Sequence, residues 1–169
     1  MAASKFLALV SGRIREIYAT VTSSGAADDG KIVALDATGR LDTSVLPVGL
    51  GAETKSITAS EALSAGDLVN IWSSSGIKVR KADATASGKE ANGFVLSSVS
   101  NGALATVYLD GTVTGLTGLN AGDRLYLADT AGAVTVTPPT GNGKVVQYVG
   151  TAISGTEFSF EPDQGVILA

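Results

Sequence analysis

Apolar and polar residues alternate along this chain in short runs separated by glycine, serine, asparagine and aspartate, a pattern that predicts β-strands joined by turns. The clearest run covers residues 123–136, in which two strand segments flank a turn at 129–132. A similar unit begins 56 positions earlier, where Ala65 corresponds to Ala121. The sequence therefore predicts two similar β-modules in tandem.

The body of the chain, residues 53–169, is predicted to be all-β, and the spacing of its strands is typical of a small barrel or a sandwich. Asn-Gly pairs at 92–93, 101–102 and 142–143 mark turns between strands. The apolar residues 166–168 predict an edge strand or a contact with another subunit. The predicted strands are 54–59, 67–72, 77–82, 92–99, 104–110, 123–128, 133–137, 143–153 and 156–161.

The start of the chain contains an apolar run, residues 5–10, and a run rich in β-branched and aromatic residues, 14–21, with a break at Ser11 and Gly12 between them. Apolar positions in the stretch 4–20 also fit the spacing of a short helix. A hairpin is favoured over this helix, because serine followed by glycine is a turn pair and glycine in mid-segment disfavours a helix.

Residues 23–52 have little capacity to form a core. Residues 23–30 are typical of a flexible polar linker, and Asp36 and Gly39 suit the first and fourth positions of a type I turn. No partner in this part of the chain is long enough to close a core around its apolar side chains. We therefore expect an extended N-terminal arm, residues 1–52, that lies on another surface.

The composition is poor in charge. Apolar residues make up 44% of the 169 residues and charged residues only 17%, against roughly 25% in a typical globular chain. Two interpretations stay open: part of the surface is buried against other subunits, or serine and threonine cover the solvent face of a β-protein. The net charge of −4 argues against a nucleic-acid partner, which would require a basic face.

The sequence contains no feature that indicates disulfide formation, secretion or insertion in a membrane. The chain has no cysteine, which excludes disulfides and thiolate chemistry. Its apolar start is too short for a secretory signal, and no run approaches the roughly 18 apolar residues of a membrane span. We expect a protein made in a cytoplasm, without a membrane partner.

The residues that usually carry catalysis are sparse. The absence of histidine excludes Ser-His-Asp triads and His-ligated metals, and the phosphate-loop-like residues 141–144 are followed by Val145 instead of serine or threonine. Asp67 and Asp123 form the only symmetric acidic pair, and each follows Ala-Gly at a strand start, where aspartate bonds turn amides. The sequence predicts a structural turn pair and no catalytic residue, metal ligand or cofactor.

The segment GKIVALDATGRLDTSVLP, residues 30–47, resembles the GKI-x-x-x-D-A-x-G-K-x-D-x-S-x-L-P segment near the start of many tailed-bacteriophage head fibre, head decoration and some tail fibre proteins. Arg40 stands where lysine is common in that family. Residues 111–152 are similar to the C-terminal β-module of the same proteins. The resemblance covers most of the chain, roughly residues 30–162.

The resemblance implies a non-enzymatic structural protein of the virion, usually a homotrimer. Its N-terminal part would bind the major capsid protein, so that the protein decorates and cements the outer capsid surface, and we expect the arm, residues 1–52, to carry both this capsid attachment and contacts of the trimer. Because the arm has no core of its own, we expect its apolar residues to make this contact. The capsid-contact candidates are Leu41, Val45, Leu46 and Pro47.

Two other functions are considered. A tail- or baseplate-associated receptor-binding module would recognise a host surface glycan through loops around 84–92 or 138–143. An enzyme such as a polysaccharide lyase or hydrolase is disfavoured, because the chain has no histidine.

Overall fold

The computed structural model describes residues 5–46 and 52–169. The chain divides into two compact units, Met1–Gly51 and Ala52–Ala169, here called unit 1 and unit 2. The described residues contain fourteen strands, two 3-10 helices and no α-helix, so the all-β prediction is confirmed. None of the helices in these residues is long and apolar enough to cross a membrane.

Unit 1 begins with an antiparallel hairpin of strands β1 (Lys5–Val10) and β2 (Arg13–Tyr18). Two residues form its loop, Ser11 with φ 52° and Gly12 with φ 75°. Positive φ at both central positions is the signature of a type I′ turn, whose twist matches that of paired strands. The hairpin prediction is confirmed, and the short helix is excluded.

From Ala19 to Leu46 the chain contains no further strand. A parallel bridge joins Thr20 to Val33, and 3-10 helices span Gly25–Asp28 and Thr43–Val45. The first of these helices lies inside the predicted linker.

The turn predicted at residues 36–39 is present. The Gly39 N–H donates to the Asp36 carbonyl oxygen at 3.1 Å. Gly39 has φ 78°, which a residue with a side chain rarely adopts.

Unit 2 contains two sheets of five strands each. In the first, β3 pairs with both β5 and β7, so the order β3-β5-β4-β6-β7 closes into a ring. The second is open, with the order β10-β9-β12-β13-β8, and the short strands β11 and β14 pair separately. The strands are β3 Thr54–Ala59, β4 Leu68–Ser73, β5 Ile77–Lys81, β6 Gly93–Phe94, β7 Leu104–Tyr108, β8 Gly111–Val113, β9 Arg124–Leu127, β10 Val134–Thr135, β11 Val145–Val146, β12 Tyr148–Ala152, β13 Phe158–Phe160 and β14 Val166–Ile167.

The two sheets share one strand order. If the strands of each sheet are numbered one to five along the chain, the open sheet has the order third, second, fourth, fifth, first. The ring has the same order when it is followed from β5 through β4, β6 and β7 to β3. The strands differ in length, and only the first sheet closes. That the two modules are alike in full stays a prediction.

Two apolar clusters form the core of unit 2. One lies among strands of the ring and includes Val69, Val79 and Val107. The other contains residues from both sheets, with Phe94 from the first and Phe158 from the second. Strand β4 contributes adjacent residues to different clusters because successive side chains of a strand point to opposite faces.

Several predicted strand boundaries are wrong, and strand 133–137 shortens to β10. The predicted strand 92–99 contains only β6, because residues 95–98 join no strand and Val99 forms only an isolated bridge with Leu63. The predicted strand 104–110 ends at Tyr108, and Gly111, with φ 114°, begins β8 in the second sheet. The predicted strand 143–153 is broken by Gln147.

Two glycines permit close strand contact at corresponding places in the two sheets. A Cβ on Gly93 would lie 2.5 Å from the carbonyl oxygen of Tyr108, and one on Gly150 would overlap the carbonyl oxygen of Ser159. Each glycine therefore lets a neighbouring backbone approach more closely than any side chain would allow.

Candidate functional site

The described capsid-contact candidates lie in unit 1 on residues 41–46, here called the anchor segment, which follow the turn at residues 36–39. Leu41 is half exposed, at 49%, whereas Val45 and Leu46 are partly buried. Pro47, the fourth candidate, lies outside the described residues. The described candidates thus lie within six residues of one another on a segment that has no strand.

Hydrogen bonds fix the shape of this segment. The Asp42 carboxylate accepts from the Ser44 backbone N–H at 2.9 Å and from the Ser44 hydroxyl at 2.6 Å. The Ser44 hydroxyl oxygen in turn accepts from the Ser23 backbone N–H at 2.8 Å. The anchor segment is therefore held against an earlier part of the same unit.

Three carboxylates in unit 1 are held in the ionised form by donors. The backbone N–H of Arg40, followed by the hydroxyl and N–H of Thr38, lowers the pKa of Asp36. Hydrogen bonds from the Ser44 hydroxyl and N–H lower the pKa of Asp42. The pKa of Asp28 is lowered in the same way, first by Lys31 and then by the Ser24 N–H. The three carboxylates therefore stay ionised at neutral pH and continue to accept the hydrogen bonds that hold these turns.

Unit 1 lacks a core in its described part. None of residues 5–46 is buried. Nine of the sixteen exposed large hydrophobic side chains in the described chain lie in this range. They are Leu7, Leu9, Ile14, Tyr18, Val21, Ile32, Val33, Leu35 and Leu41.

The hairpin presents two different faces. Because paired residues share a face, the register Leu7↔Glu16 and Leu9↔Ile14 defines one of them. On this face Leu7, Leu9 and Ile14 are 73%, 74% and 74% exposed. We call the face of Lys5, Leu7, Leu9, Ile14, Glu16 and Tyr18 the outer face.

The opposite face of the hairpin is less exposed and basic. Its apolar residues Phe6, Ala8, Val10 and Ile17 are all partly buried, whereas Arg13 and Arg15 are exposed. We call it the inner face. It carries two cations and no carboxylate.

Asp67 and Asp123 occupy equivalent turns in unit 2. The Asp67 carboxylate accepts from the Ser64 backbone N–H at 2.7 Å, and that of Asp123 accepts from the Asn120 backbone N–H at 3.0 Å. Asp67 also forms a 3.0 Å ion pair with Lys81. In both cases the donor is the backbone three residues earlier.

The loop predicted at residues 84–92 lines a polar cleft of about 570 Å³. Its polar groups are largely engaged within the protein: Glu90 accepts from the Gly88 N–H at 2.9 Å, and Asn92 accepts from the Ile71 N–H at 2.8 Å. No aromatic side chain lines the cleft. Its lining consists of Ser87, Glu90, Ala91, Asn92, Gln147, Pro162, Asp163, Gln164, Gly165 and Ile167.

Asp83 stabilises the start of the same loop. Burial raises the pKa of its carboxyl, but hydrogen bonds from Thr85 and Lys89 together lower the pKa below its ordinary value. The carboxylate is therefore ionised at neutral pH and holds both residues of the loop.

The other predicted loop, residues 138–143, lies beside a second polar cleft of about 500 Å³. Pro138, Pro139 and Thr140 line one part of it, and the ion pair between Lys144 and Asp129 lines another. This cleft also lacks an aromatic lining residue.

The described residues hold no group of three histidine, cysteine, aspartate or glutamate side chains that could bind a metal ion. The carboxylates singled out above act as acceptors in turns or as partners of lysines. The surfaces of unit 1 are therefore a better candidate site than either cleft of unit 2.

Comparisons with known proteins gave one structural likeness to report. No protein-family model matches the chain, and no curated protein matches it. Among solved structures, the chain is similar to the crystal structure of the head fibre gp8.5 N base of bacteriophage phi29, with a TM-score of 0.44 and 16% sequence identity. The match covers 66% of this chain and 95% of that chain.

The outer face of the hairpin was not among the residues predicted from the sequence. Its signal was present, since the alternation in residues 5–10 places apolar side chains on both faces once a two-residue loop fixes the register. The sequence alone could not reveal that Leu7, Leu9 and Ile14 stay about three-quarters exposed in the part of unit 1 that the structure describes.

Proposed function

We propose that this protein is a structural component of a bacteriophage virion, which binds the outer surface of the capsid as a homotrimer and stabilises it. One observation carries the proposal: no described residue of unit 1 is buried, although this unit exposes nine large apolar side chains. Such a unit requires another surface for its stability. The resemblance of residues 30–47 to phage head proteins suggests that this surface is the major capsid protein.

The contact we propose is made by Leu41, Val45 and Leu46, together with Pro47. Asp36 and Asp42 hold the adjoining turns through backbone hydrogen bonds, so the segment is shaped before it binds. Shaping a segment in advance lowers the entropy lost on binding.

Three copies make this small contact strong. A trimer placed over a threefold position of the shell offers three anchors at once, and binding of the first raises the effective concentration of the others. A ligand that bridges neighbouring capsid subunits binds only the assembled shell and therefore favours assembly over dissociation. The proposed cement function follows from this linkage and requires no enzymatic step.

The test is co-sedimentation of the purified protein with capsids that lack it. We expect saturable binding by the full chain and at least about tenfold weaker binding after Leu41, Val45 and Leu46 are changed to alanine, a loss of about 1.4 kcal/mol or more. The matched control changes three exposed aliphatic residues of unit 2 to alanine and should bind like the original protein. These control residues are Val136, Ile153 and Val166.

Two results would contradict the proposal. Absence of binding by the full chain would exclude capsid decoration. Equal binding by the anchor variant and the original protein would exclude the anchor segment but not the function.

A second candidate function is recognition of a host surface glycan by a tail-associated module. It is favoured by one observation, that both predicted loops line clefts of roughly the size of a small ligand site. The absence of an aromatic lining residue counts against it. A glycan array probed with the full chain decides between capsid decoration and glycan recognition, because only glycan recognition predicts binding to a specific glycan.

A further inference from the structure

We propose that the outer face of the β1–β2 hairpin is the surface through which copies of this chain associate. The occupant of this face is a second copy, which presents the same outer face. The proposal rests on the proposed function only for the number of copies, three. The interface itself is argued from the hairpin.

The hairpin needs a partner from the moment it folds. An isolated two-stranded hairpin is marginally stable in water at best, and none of the described residues around this one is buried. A copy of the same chain is present wherever the chain folds. Permanent interfaces between subunits are also more apolar than transient ones.

The chemistry of the outer face suits contact with itself. Its centre is formed by Leu7, Leu9 and Ile14, each almost three-quarters exposed. Its two charges neutralise each other, because the Lys5 ammonium lies 3.1 Å from the Glu16 carboxylate. Two or three copies of this face can therefore meet without repulsion between like charges.

At the edge of the outer face, Tyr18 adds an uncharged aromatic ring. The Lys5 ammonium also lies 4.9 Å from the centre of the Tyr18 ring, a cation–π contact. Tyr18 is 58% exposed, and tyrosine is among the residues enriched at interfaces between proteins.

The inner face does not suit self-association. Arg13 and Arg15 project from it without a carboxylate on the same face. Packing two inner faces together would bring four guanidinium groups close to one another, which is unfavourable. The charge pattern thus assigns the outer face to copies of the chain and leaves the inner face for a different, acidic surface.

The experiment measures the mass of the full chain in solution by light scattering and sedimentation, from about 1 to 100 µM, because oligomer stability depends on concentration. We expect an oligomer for the original protein and a single chain of 16.9 kDa after Leu7, Leu9 and Ile14 are changed to threonine. Threonine retains the preference for strand structure while it removes most of the apolar surface.

Two control variants isolate the interface. Changing Val136, Ile153 and Val166 to threonine removes three exposed aliphatic side chains from unit 2 and should leave the oligomer intact. Changing Arg13 and Arg15 to glutamine alters the inner face and should also leave it intact. Fluorescence of the single tryptophan, which lies in unit 2, checks that unit 2 is folded in every variant, and the hairpin amide signals in NMR spectra check that β1 and β2 stay paired.

A single-chain mass for the original protein throughout the concentration range would overturn the proposal. An oligomer that survives the outer-face changes would overturn it as well. Failure of the proposed function looks different: the original protein would be an oligomer, the outer-face variant a single chain, and neither would bind capsids. A monomeric protein that bound capsids would instead disprove this interface and leave the proposed function standing.

Discussion

Gln147 joins distant segments of unit 2 through its side-chain amide. The residue is 3% exposed. Its Oε1 accepts from the Ala91 N–H at 2.7 Å, and its Nε2 donates to the carbonyl oxygens of Ala91 and Asp163, both at 3.0 Å. Replacing Gln147 with methionine keeps the length of the side chain and removes all three hydrogen bonds.

The cost follows from which groups lose their partners. Ala91 is 2% exposed, so its N–H and carbonyl would be buried without a partner, whereas the carbonyl of the exposed Asp163 can bind water. Each of these two buried unpaired groups costs about 1–3 kcal/mol, which gives a loss of roughly 2–6 kcal/mol in the free energy of unfolding. This is a large fraction of the roughly 5–15 kcal/mol that stabilises a typical domain.

The assay is unfolding in guanidinium chloride at a fixed protein concentration, followed by the fluorescence of Trp72 in β4. The Trp72 indole donates to the Ser60 hydroxyl at 3.2 Å and lies 4.5 Å from the Arg80 guanidinium, so its emission reports on the packing of unit 2. With a slope of about 4 kcal/mol/M, we expect the midpoint to fall by roughly 0.5–1.5 M.

The matched control is Gln164→Met, the same chemical change at an exposed position. We expect it to change the free energy of unfolding by less than about 0.5 kcal/mol. Equal midpoints for the two variants would refute the reasoning, because they would show that the Gln147 hydrogen bonds contribute nothing beyond solvation.

Three further predictions concern other parts of the chain. Gly150→Ala should lower the free energy of unfolding by about 1–3 kcal/mol or more, because the new methyl group overlaps the opposing carbonyl oxygen. In Gly115→Ala the new methyl group meets no atom within 4 Å, so this variant should lose less stability. The denaturant midpoints of both variants measure the difference. Asp67→Ala should cost more than Asp123→Ala, because only Asp67 adds an ion pair to its turn hydrogen bond, and equal thermal midpoints would contradict this ranking. Hydrogen bonds lower the pKa of Asp36, so the contribution of this carboxylate to the stability of unit 1 is complete above its pKa in the unfolded chain and is lost as the pH falls through its pKa in the folded protein. NMR of the carboxyl group should therefore give a lower titration midpoint in the folded protein than in the urea-unfolded chain. Equal titration midpoints would show that the hydrogen bonds do not lower this pKa.

Local signals predicted local structure well. The Ser11-Gly12 pair predicted the first hairpin, and the spacing of Asp36 and Gly39 predicted a turn that the backbone hydrogen bond confirms. Both features depend on a few adjacent residues whose conformational preferences the sequence states directly.

Features that depend on distant residues were beyond the sequence. Ring closure requires the parallel pairing of Thr58 with Lys78, which no periodicity encodes. The break at Gln147 was missed because its amide bonds a backbone 56 residues away. In the candidate site, Leu41 is half exposed, and its role as a capsid contact stays a prediction. The two faces of the hairpin could be assigned only from the register of β1 against β2, which the structure supplies.

The central claim is that unit 1 attaches this protein to the outside of a capsid. Cryo-electron microscopy of capsids that lack the protein, before and after saturation with the full chain, tests it most directly. The account predicts added density on the outer surface at threefold positions, with the contact made by the segment containing Leu41, Val45 and Leu46. Capsids that stay bare at saturating protein, or density that appears only at the tail, would contradict it.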